Sequence, residues 1–181
     1  MEEKVQNLGE VTQKKFDSLM VSFLLSEPFF SSIMSHVRKV KTEDLPTAGV
    51  TVKDGAINLY WNPEFAAKLT RKTFFGLMKH ECYHLIFKHV TARKQDPHIL
   101  WNIATDLAIN SIIPADELPE GGLIPGEPLL IKDSSHMTEE MIERSKKMSD
   151  LIESFPKMKS SEWYMEMLLQ DPEIEEAAKE I

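Results

Sequence analysis

Residues 70–89 read TRKTFFGLMKHECYHLIFKH, and residues 80–84 within them match the pattern HExxH. Apolar residues on more than one face of this stretch predict a largely buried helix. His80 and His84 would lie on adjacent turns, about 40° apart around the axis, so both imidazoles can reach one metal ion. Glu81 can then face an open coordination position and take a proton from metal-activated water. This arrangement is typical of zinc peptidases.

The helix predicted next, over residues 98–113, offers a third ligand. It is so apolar that we expect it to be buried, and a lone carboxylate on it, Asp106, needs a strong partner. Asn102, Asp106 and Asn110 recur at intervals of four. We predict that Asp106 is the third ligand and that Asn102 or Asn110 orients it. The alternative is that these polar residues only form the solvent-facing stripe of the helix.

His89 also lies close to the motif. It follows His80 by nine residues, about 180° around a continuous helix, and so would point away from the ion. Unless the helix ends before it, we interpret His89 as a residue that contacts free carbonyls at the helix end, or that supports a metal ligand. Arg93 is expected to pair with a buried carboxylate, and Cys82 to fill the core. Candidates to stabilise an oxyanion are Tyr60, Tyr83, His89 and His98.

The first third of the chain predicts helix followed by a small hairpin. Apolar residues spaced by three and four predict helix over residues 11–37, interrupted at Pro28. Asp-Gly at positions 54–55 predicts a hairpin between strands at 48–52 and 56–61. The second strand could serve as an edge on which an extended peptide pairs its backbone.

The last half predicts further helices and one long loop. Asp96 is expected to cap the helix that starts at Pro97, and Pro114 to end it. Four prolines and three glycines predict an irregular loop over residues 114–131. Helices are predicted over residues 137–154 and 161–169, and a frayed acidic tail over residues 171–181.

Charge is unevenly distributed along the chain. The 181 residues carry 21 Lys or Arg and 29 Asp or Glu, a net charge of −8. Residues 70–113 carry six basic and three acidic side chains, whereas residues 114–181 carry seven basic and seventeen acidic side chains. The acidic region is therefore expected to be a covering or docking surface. The overall charge disfavours a nucleic-acid partner.

Composition also bounds the cellular setting. The length and the 42% hydrophobic content suit a single domain with one core. The chain has a single cysteine, so no intrachain disulfide can form, which favours a reducing compartment. No stretch resembles a signal peptide or a membrane span. We expect a cytoplasmic protein with no membrane partner.

The sequence resembles the putative metallopeptidase domain family, whose zincin-like HExxH domain usually precedes a von Willebrand factor A-like domain. The resemblance implies an α+β fold, mainly helical, with a small β-hairpin or sheet before the HExxH helix. It implies a domain over residues 1–170, followed by an acidic C-terminal tail over residues 171–181. The stretches that carry it are residues 60–65, 78–84 with His89 and Arg93, 96–110, 118–121 and 161–164.

The resemblance also implies a site and an activity. One Zn²⁺ ion would be held by His80, His84 and Asp106, with Glu81 as general base, and Asn102 and Asn110 would support the site. We therefore expect a zinc-dependent metallopeptidase that acts on a peptide or protein. Alternatives are a zinc-stabilised binding or regulatory module without catalysis, and a metal-free helical scaffold. Two alternatives stay open for the C-terminal domain that usually follows: a separate protein partner replaces it, or the metallopeptidase domain acts on its own.

Overall fold

The computed structural model describes residues 2–130 and 137–178, and these ranges form an α+β fold as predicted. Two helices that meet at Pro28 confirm the predicted interruption. The chain divides into two compact units, Met1–Ala92 and Arg93–Ile181. The helices in the described ranges are α1 (Glu2–Ser26), α2 (Pro28–Met34), α3 (Pro63–Lys68), α4 (Arg71–Ile86), α5 (His98–Asn110), α6 (Glu139–Ser154), α7 (Ser161–Leu168) and α8 (Pro172–Ala178). The strands there are β1 (Arg38–Lys41), β2 (Ala48–Lys53) and β3 (Ala56–Trp61).

The hairpin of the first unit joins β2 and β3 in antiparallel register, with Val50 opposite Leu59. Asp54 and Gly55 at its turn have φ angles of 52° and 72°. Positive φ at both central residues is the requirement of a type I′ turn, whose twist matches the flanking strands. The predicted hairpin is therefore confirmed.

The order of strands in the sheet is β1-β3-β2. The prediction that β3 offers a free edge is wrong, because it pairs antiparallel with β2 and parallel with β1. The edge strand beside the HExxH helix is β2, which contacts α4. Strand β1 was not predicted, because its four residues, RKVK, carry little apolar signal and its partner lies far along the chain.

One aromatic core holds the elements of the first unit together. The Phe16 ring of α1 stacks on Trp61 of β3, with centroids 4.0 Å apart, and meets Phe74 of α4 edge-on at 5.5 Å. Burying each such side chain stabilises the fold by about 1.5–3 kcal/mol. Met78 and Cys82, further along α4, are also fully buried. This packing fixes the orientation of α4 and of the motif it carries.

The second unit is a cluster of helices. The predicted helices over residues 137–154 and 161–169 are confirmed as α6 and α7, and Ser160 caps α7 by accepting a hydrogen bond from the Trp163 amide. Residues 114–130 are irregular as predicted, apart from a 3₁₀ turn at Ala115–Glu117, and residue 131 lies outside the described ranges. The largest side chains buried in the shared core include Trp101, Leu107, Met148, Ile152 and Tyr164.

The ends of α5 differ from the prediction. Pro97 is the N-cap residue and no side chain caps the helix, so the expected role of Asp96 as cap is wrong. The helix ends at Asn110, three residues before the predicted end at 113. The exact residue at which a helix ends depends on the path of the chain on either side of it, and the type of a single residue predicts that path poorly.

Helix α8 corrects the expectation of a frayed acidic tail. Residues 172–178 are helical, and Ile174 and Ala178 are buried in the core of the second unit. Lys147 of α6 also bonds to Asp171 and Glu173, each at 2.6 Å. Residues 179–181 lie outside the described ranges, and the boundary at residue 170 stays a prediction.

A helix that crosses a membrane must be long and apolar enough to span the bilayer. Within residues 2–130 and 137–178, no helix combines enough length with enough apolar character to cross a membrane.

Candidate metal centre

Helix α4 presents the two histidines of the motif on one face. A capping box starts the helix, in which the Thr70 hydroxyl accepts from the Thr73 amide and the Thr73 hydroxyl accepts from the Thr70 amide. Two turns later, Nε2 of His80 lies 2.9 Å from Nε2 of His84. Both side chains are half-buried. The two nitrogens therefore converge on one point beside the helix.

Asp106 of α5 completes a group that could hold a metal ion. His80, His84 and Asp106 each offer one ligand atom, and these atoms all lie within 4.8 Å of one another. Two imidazoles and one carboxylate are a donor set that suits zinc, and three protein ligands leave a coordination position open. The residues that the sequence singled out as ligands therefore fit a metal ion.

Glu81 points toward the sheet. Its side chain is 3% exposed, and its Oε2 accepts a hydrogen bond of 2.9 Å from the Val50 amide. Just beyond the paired strands, the Asn62 amide donates a hydrogen bond to the carbonyl of Thr47, the residue opposite it. Hydrogen-bonded pairs alternate along an antiparallel ladder, so the odd-numbered residues of β2 bond to β3 and the even-numbered ones face away from it. The Val50 amide therefore faces the free edge of the sheet. Sequence reasoning missed this contact, because no local signal links residues 31 positions apart.

Cys82 fills the core, as predicted. It is fully buried, and its Sγ lies 3.9 Å from the Phe30 carbonyl oxygen. Burial, and after it the negative charge of Glu81, raises the pKa of the thiol to about 12. Cys82 therefore stays protonated at neutral pH and does not serve as a nucleophile or as a thiolate ligand.

His89 lies against His84. The condition of a continuous helix is not met, because α4 ends at Ile86, three residues before His89. His89 is 4% exposed, its Nδ1 lies 3.4 Å from Nδ1 of His84, and its amide donates to the His84 carbonyl. The predicted contact of its side chain with free carbonyls at the helix end stays a prediction.

The two asparagines of α5 lie in different environments. Asn102 is exposed, and its Nδ2 lies 3.4 Å from Nδ1 of His98. Asn110 is buried and donates to the Leu123 carbonyl at 2.8 Å. Asn110 therefore holds the loop that follows α5. The proposed support of Asp106 by either residue stays a prediction.

The remaining candidates lie on several elements. Arg93 forms an ion pair with the exposed carboxylate of Glu162 on α7, and its pairing with a buried carboxylate stays a prediction. Tyr83 packs in an aromatic cluster, stacked on Phe87 with centroids 5.5 Å apart. Tyr60 is half-buried on the central strand β3. The oxyanion roles of Tyr60, Tyr83, His89 and His98 stay predictions.

Fold and site together define an α+β protein with an HExxH helix and a group able to hold a metal ion. The family model described as "Putative metallopeptidase domain" matches residues 13–179, and the chain belongs to this family. This membership confirms the resemblance carried by the motifs and implies a metal ion. Neither a search of curated proteins nor a search of solved structures found a match.

Proposed function

We propose that this protein is a zinc-dependent metallopeptidase with a zincin-like fold and a peptide or protein substrate. His80, His84 and Asp106 would hold one zinc ion, and Glu81 would be the general base. The observation that carries the proposal is that the ligand atoms of His80 and His84, on a helix of HExxH sequence, and of Asp106 on α5 all lie within 4.8 Å of one another. Membership in the family described as "Putative metallopeptidase domain" also supports it.

The metal ligands, the Val50 amide and Glu81 would each have a distinct role in hydrolysis. Zn²⁺ bound by this donor set supplies Lewis acidity toward water and toward a substrate carbonyl. The Val50 amide holds Oε2 of Glu81 and so leaves Oε1 to accept the proton of the attacking water. Glu81 can then deliver that proton to the amine that leaves when the peptide bond breaks. The buried position of the carboxylate limits its movement between these two steps.

The free edge of β2 supports a peptide as the substrate. Because Val50 faces away from β3, Ala48 and Val52 face the same way by the alternation of an antiparallel pair. An extended peptide could pair its backbone with Ala48 and Val52 on this edge, which adjoins α4, while the Val50 amide stays bonded to Glu81. The scissile bond would then lie close to the Glu81 carboxylate. This function belongs to β2, and not to β3 as the sequence suggested.

The substitution Glu81→Gln tests the proposal. Glutamine keeps the shape and a hydrogen-bond acceptor but cannot take the proton, so we expect bound zinc to be retained and cleavage of a labelled unfolded protein to be lost. Glu43→Gln, at an exposed loop position, is the matched control and should cleave like the parent. Undiminished cleavage by Glu81→Gln would contradict the mechanism.

The ligand assignment has its own measurement. His80→Ala and Asp106→Ala should each lower the zinc content of protein purified without chelator, because a three-ligand site loses a third of its donors. A parent that binds zinc but cleaves no substrate under any condition would favour the non-catalytic module. A parent protein that binds no zinc would exclude both the zinc peptidase and the zinc-stabilised module.

A further inference from the structure

We infer that His89 is a positioning residue for His84, accepting a hydrogen bond from Nδ1 of His84 and so fixing the ring that presents Nε2 to the metal. This inference rests on the proposed function, since it assumes an ion held by Nε2 of His84. Three independent features of the described residues support it: the backbone motif that ends α4, the tautomer that a ligand histidine requires, and the packing of the His89 ring.

The backbone at the end of α4 turns His89 back toward the site. The Lys88 amide donates to the Leu85 carbonyl at 3.1 Å, and the His89 amide donates to the His84 carbonyl at 2.9 Å. Lys88 between them has a φ angle of 59°. These two bonds and a left-handed residue are the Schellman motif, which reverses the chain at the end of a helix. The motif therefore places His89 beside His84, where a continued helix would have carried it away.

The tautomers follow from metal coordination through Nε2 of His84 together with the two nitrogen–nitrogen distances. Nε2 of His84 faces Nε2 of His80 at 2.9 Å, so Nε2 is the nitrogen directed at the ion. A neutral imidazole carries one proton, and a histidine that binds metal through Nε2 therefore carries it on Nδ1. Nδ1 of His89 lies 3.4 Å from that Nδ1. To accept the bond, His89 must be neutral with its own proton on Nε2.

Packing holds the His89 ring in this position. The side chain is 4% exposed, and its ring centroid lies 5.4 Å from that of His84 and 5.5 Å from that of Phe87. Metal-binding histidines nearly always donate their second ring nitrogen to a partner, which orients the ring and raises its basicity. His89 is not part of the group able to hold a metal ion, as found among the described residues. Its geometry therefore suits support of a ligand and not ligation.

The test compares zinc affinity in two variants, measured by competition with a chromogenic chelator. His89→Leu removes the acceptor, and we expect a 10- to 100-fold weaker affinity, the usual loss when such a partner is removed. His89→Asn places Oδ1 near the position of Nδ1 and should restore affinity to within about threefold of the parent. His36→Leu, at an exposed position outside the site, is the control and should bind zinc like the parent.

A second measurement uses the unmodified protein. Long-range ¹H–¹⁵N spectra of the zinc-loaded parent should show the Nδ1–H tautomer for His84 and the Nε2–H tautomer for His89. The inference is overturned if His89→Leu binds zinc as tightly as the parent, or if His89 carries its proton on Nδ1. A parent that binds no zinc overturns the proposed function as well, so the two failures are distinguishable.

Discussion

The Val50 amide nitrogen lies 2.9 Å from Oε2 of Glu81 and joins the edge strand of the sheet to the HExxH helix. A hydrogen bond to a buried carboxylate is stronger than one between neutral groups, so this contact fixes the carboxylate relative to the sheet edge. The general base of the proposed reaction and the strand proposed to receive the substrate are therefore held by the same bond.

This bond predicts a difference in stability between two substitutions. Glu81→Ala leaves the Val50 amide without its acceptor, and we expect the free energy of unfolding to fall by about 1–3 kcal/mol. Glu81→Gln keeps an acceptor oxygen and should lower the free energy of unfolding by clearly less. Urea unfolding with a chelator present measures both without a contribution from bound metal. Equal losses in the two variants would mean that the bond contributes nothing to stability.

The left-handed conformation of Lys88 predicts a stabilising substitution. A φ of 59° is costly for a side chain with a Cβ, whereas glycine adopts it freely. Lys88→Gly should raise the free energy of unfolding by about 0.5–1 kcal/mol, after allowance for the greater freedom of glycine in the unfolded chain. Lys88→Ala keeps the Cβ and is the matched control. The prediction fails if the glycine variant is no more stable than the alanine variant.

Asn110 and Asn102 should respond differently to the same change. Asn110→Ala removes the bond from its buried amide to the Leu123 carbonyl, and a loss of about 1–3 kcal/mol is expected. Asn102 is exposed, so Asn102→Ala should change stability by less than about 0.5 kcal/mol. Thermal unfolding and limited proteolysis of residues 114–130 measure the two effects. A similar response of both variants would contradict the distinct environments.

The bridge from Lys147 predicts that α8 depends on pH. The hydrogen bond from Lys147 lowers the pKa of Asp171, so this stabilisation is present above the ordinary carboxyl pKa and is lost as pH falls through the lowered value. The pKa of Lys147 is raised by the same bond, so its contribution is lost only in strongly alkaline solution. Amide protection in α8, expressed relative to the intrinsic exchange rate, should therefore fall as the pH drops below the ordinary carboxyl pKa of about 4.

Substitutions of two lysines of α6 distinguish the effect of the Lys147 bridge on α8 from a general destabilisation of the protein by acid. Lys147→Met should accelerate exchange in α8 at neutral pH and remove most of the acid dependence. Lys146→Met, at the exposed neighbouring position, should leave both unchanged. The bridge has no role in holding α8 if the two variants exchange alike. Because the groups are largely exposed, added salt should weaken the effect.

Features that depend on nearby residues could be predicted from the sequence. The hairpin follows from Asp54-Gly55, the cap of α7 from Ser160, and the position of the two motif histidines from the period of a helix. The prediction of Asp106 needed one further step, the cost of a lone carboxylate on an apolar helix. Each of these arguments uses an energy that acts within a few residues or within one helix.

The amino-acid sequence was enough to predict the helix that carries the motif, the hairpin and a candidate set of metal ligands. The three-dimensional structure was needed to show that β3 is central, that the Val50 amide meets Glu81, and that His89 returns to His84. Pairing between distant segments is selected by packing of the whole core and not by local preference, so local patterns do not reveal it. The return of His89 depends on a lysine that adopts a conformation usually reserved for glycine, which residue type alone does not reveal.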